Sequence, residues 1–227
     1  MLRGLSPVQL AGGFGLPDVL PSLISGSLAR RLADLPAETR LLLLVAAADP
    51  TGDPTLIWQA ASQLEIPVEA AFPAIEGHLV TFGGRVVFRN PRVRSTAYHC
   101  AALRDRRAAH DALARATDPR VAPDRRAWHR SHAGLEPDEE VAAELARTAI
   151  RAQVRGGLAA SAAFLKRASA VTPEAAPRSD RTLAAAEAML AAGDHDAAAK
   201  LLEVAEQGRG TGPAAGSRRV RPRHGRR

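Results

Sequence analysis

The sequence predicts a mainly α-helical protein with one small β-hairpin, and three observations predict it. Apolar residues make up 46% of the 227 residues but aromatics only 4%. The core must therefore be filled by Ala and Leu, which suits close-packed helices better than a sandwich built on β-branched and aromatic residues. Apolar residues recur at helical spacing along most of the chain, interrupted by Pro and Gly. One stretch breaks that pattern. In residues 79–98, LVTFGGRVVFRNPRVRSTAY, the short runs Val80–Phe82 and Val86–Phe88 flank Gly83-Gly84, a dipeptide that reaches positive φ without penalty and suits a tight hairpin turn.

Taken in order, residues 1–25 are rich in Gly and Pro and read as a linker or the edge of a larger unit. Ser27 can cap a helix carrying Leu28, Leu32 and Leu35. Pro36 opens the next, whose run Leu41 to Ala48 is apolar nearly all round and so must be central to a core. Asp49-Pro50 with Gly52 ends it. Asp53-Pro54 is a cap followed by a first-turn proline, and Leu56, Ile57, Ala60, Ala61 and Leu64 give the helix that follows one apolar face. A third helix is expected over 67–77, with Val68, Ala71, Phe72, Ile75 and Leu79 on its apolar side. Pro91 stops the second strand and fits the first turn of a helix over about 92–101. Three helices followed by a hairpin are the ingredients of a winged-helix domain.

A helix over 103–117 then sets Ala109, Leu113 and Ala116 against Arg104, Arg106, Arg107 and Arg115. Further helices are expected over about 123–133, 138–155, 158–171, 179–192 and 195–206, with breaks at Pro137, Gly156-Gly157, Pro173, Pro177 and Gly193. Laying Gly156 on Gly193 places Ala160, Phe164, Leu165 and Ala168 on Ala197, Leu201, Leu202 and Ala205. The offset of 37 is close to the period of tetratricopeptide (TPR)-like helical hairpins, though at most two copies fit.

Charge and cysteine usage limit the function classes. The formal charge is +7, but seven of the 31 basic residues lie in 208–227, which holds no acid. Residues 1–207 thus balance 24 bases against 24 acids, and the basicity belongs to a Gly/Pro/Arg tail expected to be disordered. The expected third helix carries Glu69 and Glu76, with Glu65 just before it, and no Arg or Lys. Phosphates would repel it, so no direct sequence-specific DNA binding is expected. The single Cys100 excludes an internal disulfide and fits a reducing cytoplasm. No apolar run approaches the ~20 residues that span a bilayer, so a cytoplasmic protein without a membrane partner is expected.

Candidate chemistry is sparse. The phosphate-cradling pattern G-x-x-x-x-G-K-[ST] is absent from the sequence, so no autonomous nucleotide hydrolysis and no catalytic residue is expected. Gly13-Phe14-Gly15 follows no strand and reads as a flexible turn. His129 and His132 lie three apart on an expected helix, a spacing that brings two imidazoles near one metal. Their neighbours in RRAWHRSH would repel a cation, so no metal is expected; Trp128 is instead expected to pack into the repeat array with the histidines half exposed. Cys100 beside His99 cannot form a nucleophile–base pair, because adjacent helical residues point ~100° apart; a buried cysteine is expected. Glu139-Glu140 in a first helical turn offset its dipole.

The segments LAGGFGLPD, LPAETRLLLLVAAADPTGDP, GGRVVFRNPRVRSTAY, PDRRAWHRSHAGLEPDEEVAAELA and RAQVRGGLAASAAFLKRASAVTP resemble the middle of large bacterial LuxR-family transcriptional regulators of the MalT-like STAND ATPase type, over about residues 5–207. The resemblance implies the edge of an ATPase module over 1–25, a winged-helix subdomain over 26–102, TPR-like sensor hairpins over 103–207 and a tail over 208–227. It implies a non-enzymatic fragment lacking the ATPase core and the DNA-binding end. ATP or ADP would belong to the complete family members and not to this chain. Its partners would be the missing ATPase module and a protein or small-molecule inducer held by the helical repeats. The family usually reads Phe-Arg-His-Pro after the wing, where a histidine senses the nucleotide's phosphate; here that position is Asn90, which can donate a hydrogen bond but carries no charge. At Gly208 a family-like helix should continue, and the Arg-rich sequence that replaces it resembles a frameshifted or truncated reading frame. The alternatives are a stand-alone TPR-like adaptor and, with less support, a small winged-helix regulator that binds DNA through the wing and the Arg tail.

Overall fold

The computed structural model describes residues 26–210, and the side chains of 26–206. The expectations for residues 1–25 and for 211–227 lie outside the described residues. Among these, eleven α-helices and one two-stranded hairpin form a mainly helical protein. The order is α1 (Gly26–Ala33), α2 (Ala37–Ala48), α3 (Pro54–Gln63), a 3-10 turn (Val68–Ala71), α4 (Phe72–Glu76), β1 (Val80–Phe82) and β2 (Val86–Phe88). Then come α5 (Pro91–His99), α6 (Leu103–Ala116), α7 (Pro123–Ala133), α8 (Glu139–Val154), α9 (Leu158–Ala170), α10 (Ala175–Ala191) and α11 (His195–Gly210). No helix among the described residues is long and apolar enough to cross a membrane.

Helix α2 is the axis of the first core. Every residue from Leu42 to Ala48 is buried, as its all-round apolar sequence requires. Around it pack Leu56 and Ile57 of α3, Val80 and Val86 of the strands, Val93 and Tyr98 of α5, and Ala109 and Leu113 of α6. Asp53 caps α3, its carboxylate accepting from the N–H groups of Thr55 and Leu56. The hairpin pairs Val80 with Phe88 and Phe82 with Val86 in antiparallel register. It is anchored from below by the 49–53 loop: the Gly52 carbonyl accepts from the Val86 N–H at 2.8 Å, and Arg85 donates to the Thr51 carbonyl. The aromatic ring of Phe82 then reaches Trp58 of α3, centroids 5.4 Å apart.

A second core takes over past α6. Ala127 and Trp128 of α7 meet Val141, Leu145 and Ala149 of α8 and Ala160, Phe164 and Ala168 of α9. A small third cluster, Ala162, Met189 and Ala198, ties α9 to α10 and α11. Alanine at these contacts lets helix axes approach closely, which is how a chain so poor in aromatics excludes water. The internal repeat has a structural counterpart at its glycines. Gly156 and Gly193 both adopt left-handed backbone, φ +78° and +83°. In each copy the glycine N–H returns to the carbonyl three residues back and the next N–H to that five back, Gly157 to Ala152 and Asp194 to Met189. This is the same helix stop used twice.

Four expectations are corrected. The helix expected over 67–77 is two pieces, because Pro73 lacks the N–H for an i−4 bond and forces a new first turn. Its burial follows the expectation only in part: Ala71 and Leu79 face the core as expected, but Ala70 and Ala74 join them while Val68 is 62% and Phe72 54% exposed. Gly83 and Gly84 do not use positive φ; the turn is a wider three-residue loop, Gly83–Arg85, closed by the Gly83 N–H on the Arg85 carbonyl. Pro177 is no break, since it sits in the first turn of α10 where its missing N–H would have had no partner. Helix α11 runs to Gly210, past the expected stop near Gly208. In addition α6, placed by the expected division with the repeats, contributes Ala109, Ala112 and Leu113 to the first core.

The two ways of using glycine separate in a mutational pair. A Cβ at Gly52 would lie 2.5 Å from the Val86 carbonyl oxygen at a backbone φ of +65°, so Gly52→Ala should cost at least ~1–2 kcal/mol, read as a lower urea midpoint. A Cβ at Gly83 meets nothing within 4 Å; Gly83→Ala should leave the midpoint unchanged or raise stability by ~0.4–1 kcal/mol.

Candidate functional site

The two cores meet through polar atoms. Helix α5 carries Tyr98 in its last turn, α6 carries His110 on its buried side, and α7 carries His129 and His132. The Tyr98 hydroxyl lies 2.8 Å from His110 Nε2, and His110 Nδ1 lies 2.9 Å from His129 Nδ1. Among the described residues the Tyr98 O–H has no other acceptor, and satisfying it assigns the direction: Tyr98 donates to His110, and the Nδ1–H of His110 donates to His129. The remaining N–H of His129, on Nε2, is buried without a hydrogen-bond partner. His132 closes the group from one side, stacked on His110 at 4.9 Å between centroids and packed on Trp128 at 4.5 Å. Its Nδ1 donates to the Trp128 carbonyl at 2.9 Å, which fixes its tautomer.

Every charged neighbour of this cluster is a cation. Arg106 of α6 lies over the Tyr98 ring, 5.7 Å from its centroid. Arg94 of α5 and Arg125 of α7 act from two further sides. Arg167 of α9 reaches across to donate its Nε to the Ser131 hydroxyl at 3.2 Å. Burial first, then the neighbouring imidazoles and guanidinium groups, holds the three histidines neutral: His110 falls well below its usual value, and His129 and His132 fall to about 3. Burial pushes the Tyr98 phenol up to about 12, against the pull of the arginines. Burial also lowers the pKa of Arg167.

Ion pairs brace the seam outside the imidazoles. Asp124, in the first turn of α7, accepts from Arg151 at 2.6 Å and Arg155 at 2.7 Å, both from α8. Its burial raises the carboxyl pKa, and the two guanidinium hydrogen bonds outweigh that and hold it below the usual value. Arg125 spans the cores to Asp53 at 3.7 Å. Glu139, in the first turn of α8 beside the Asp138 cap, pairs with Arg181 of α10 at 2.5 Å.

The residues singled out from sequence are dispersed. Asn90 is exposed and caps α5, its side-chain oxygen accepting from the Val93 N–H at 3.1 Å, which leaves only the amide N–H2 group for any ligand. His129 is 0% exposed, not half exposed as expected, because it faces His110 across the α6–α7 contact; His132 is half-buried and Trp128 packs into the second core. The two histidines face different partners, and among the described residues no three His, Cys, Asp or Glu side chains form a group suited to a metal ion. Cys100 is exposed, not buried, because it lies one residue past the end of α5. His110 and Tyr98 were missed. The signal for His110 was its place three residues before Leu113, on the apolar side of an otherwise Arg-rich helix.

No family model, curated protein or solved structure matches the chain.

Three neutral imidazoles, two buried and one half-buried, make stability depend on pH with a definite sign. Their folded-state values lie below the unfolded value of ~6.5, so their contribution is complete above pH ~6.5 and is lost as pH falls, because the unfolded chain binds protons that the fold refuses. Each contributes up to ~1.4 kcal/mol per pH unit. Urea midpoints should be level between pH 7 and 8 and drop steeply between 6.5 and 5, with a slope of up to ~3 protons. His110→Gln should flatten the slope; a stability unchanged down to pH 5 contradicts the assignment.

Proposed function

We propose that the chain is a non-catalytic relay module, a winged-helix-like body coupled to TPR-like helical hairpins, of the kind found in the middle of STAND-type LuxR-family regulators. The observation that carries this reading is the seam itself. Two separately packed apolar cores are joined through a buried Tyr98–His110–His129 chain with one donor left over on His129. An apolar joint tolerates many small displacements, whereas a chain of directional hydrogen bonds is either made or broken, which suits a part that transmits one of two states. The element order, helices α1 to α4 and then a hairpin, and the repeated glycine stops at 156 and 193 agree with the segments quoted above.

In this reading the hairpins α8–α11 take an inducer or partner protein, and the wing body answers to an ATPase module. Exposed Leu190, Leu202 and Val204 on α10 and α11 also favour the second reading, a stand-alone adaptor that binds a protein through its hairpins.

Two measurements test the proposal together. The purified chain should hydrolyse no ATP, and it should change the ATP turnover of a P-loop ATPase encoded beside it, an effect lost in His110→Ala. Turnover by the chain alone rejects the relay reading. Binding to a partner protein with no such ATPase encoded nearby favours the adaptor. A sequence-specific DNA complex that survives removal of residues 211–227 would reject both.

A further inference from the structure

A second feature lies on the opposite side of α5 from the seam. Helices α1, α2 and α5 and the start of α6 enclose a cleft of about 390 Å³, within the range of small-ligand sites. Its walls are apolar, with Leu32 from α1, Leu41 and Leu44 from α2 and Ala97 from α5. Its floor includes Thr96, which is fully buried and whose hydroxyl has no hydrogen-bond partner. A buried hydroxyl left unmade is costly, and a ligand oxygen placed there recovers that cost. The rim is polar and cationic. Arg40 spends one guanidinium nitrogen on the Ala33 carbonyl at 2.9 Å and keeps the others, while Arg104 is exposed beside Asp105, at 3.3 Å. Two guanidinium groups against one carboxylate leave a net positive mouth over an apolar throat with a single polar atom at its base.

We propose that this cleft binds a medium-chain carboxylic acid bearing a hydroxyl or carbonyl oxygen at the end remote from its carboxylate. The carboxylate sits at the Arg40–Arg104 rim, the chain fills the leucine-lined throat and the remote oxygen meets Thr96. Each part of the ligand answers one feature of the cleft. An unfunctionalised acid would leave the Thr96 hydroxyl unmade, and an amine would meet two guanidinium groups. The site is independent of the relay reading and stands whether the chain acts as a relay or as an adaptor.

The cleft carries its own reporter. Cys100, the chain's only cysteine, lines it and is exposed. Its reaction with an aromatic disulfide forms one mixed disulfide and releases one thiolate per protein, which is followed by absorbance. Hydroxydecanoate with the hydroxyl on the terminal carbon should slow this reaction saturably, and decanoate should do so about three- to tenfold less tightly, the value of one buried hydrogen bond. Decylamine should not protect. In Thr96→Val, a near-isosteric change, the preference for hydroxydecanoate over decanoate should vanish; in Arg40→Gln, on an exposed residue, the preference for carboxylate over the matching alcohol should fall. Unchanged circular dichroism and thermal midpoints establish that both variants are folded. No saturable protection by either acid overturns the proposal. So does equal protection by acid and amine, or a hydroxydecanoate preference that persists in Thr96→Val.

Discussion

The structure depends on a joint between two small cores made of hydrogen bonds that run in one direction. Tyr98, His110 and His129 supply them from three consecutive helices, and burial first, with the neighbouring imidazoles and arginines, keeps the imidazoles neutral. With aromatics at 4% of the chain, neither core is large enough to swallow the other. Alanine contacts set the helices close and leave little side-chain volume for interlocking across the boundary. The imidazoles fill that volume. They do so at a cost, since the Nε2–H of His129 is left without an acceptor, worth ~1–3 kcal/mol against the fold. A purely structural joint is better served by leucine. Retaining a strained polar one is the physical reason to look for function here.

The rest of the array shows how the same joint could carry a signal without large hinges. Past α7, helices α8 and α10 are both stopped by glycines in left-handed backbone, and the array is stacked through alanine. Asp124 gathers Arg151 and Arg155 from α8, Arg167 of α9 holds Ser131, and Arg181 of α10 holds Glu139. Helices α8, α9 and α10 are therefore each clamped to an earlier one by a charged contact laid over the alanine packing. Those clamps end at α7, the helix that bears His129 and His132.

What the sequence revealed and what it hid divide along the range of the interactions. Local chemistry was legible. Asp53 before Pro54 caps α3 as its type and position require, the helix over 123–133 has those bounds, and the all-apolar run from Leu41 to Ala48 lies at the centre of a core. The hairpin register follows from the alternation in Val80–Phe82 and Val86–Phe88. Where the reading failed locally, a single atom decided: Pro73 interrupts an otherwise good helical pattern for want of one N–H. The seam was invisible for a different reason. His110 and His129 are nineteen residues apart and each belongs to an Arg-rich helix that reads as solvated. Only the angle at which α6 meets α7 turns both imidazoles inward, and no periodicity encodes that angle. The cleft likewise depends on four helices from different parts of the chain, and the exposure of Cys100 on α5 stopping one residue short of it.

Helix α5 is where these features converge, and its position explains why nine residues carry so much of the polar chemistry. It starts at Asn90, directly after β2, so the hairpin fixes its N-terminus; Arg94 ties it to the Ala47 carbonyl at the end of α2. Thr96 and Tyr98 are two residues apart and therefore point ~200° away from each other. One faces the cleft and the other the seam. A rigid helix of this length cannot turn one face without turning the other. Filling the cleft and making or breaking the Tyr98–His110 bond therefore act on one element, and the sign of their coupling is set by which rotation of α5 the occupied cleft prefers.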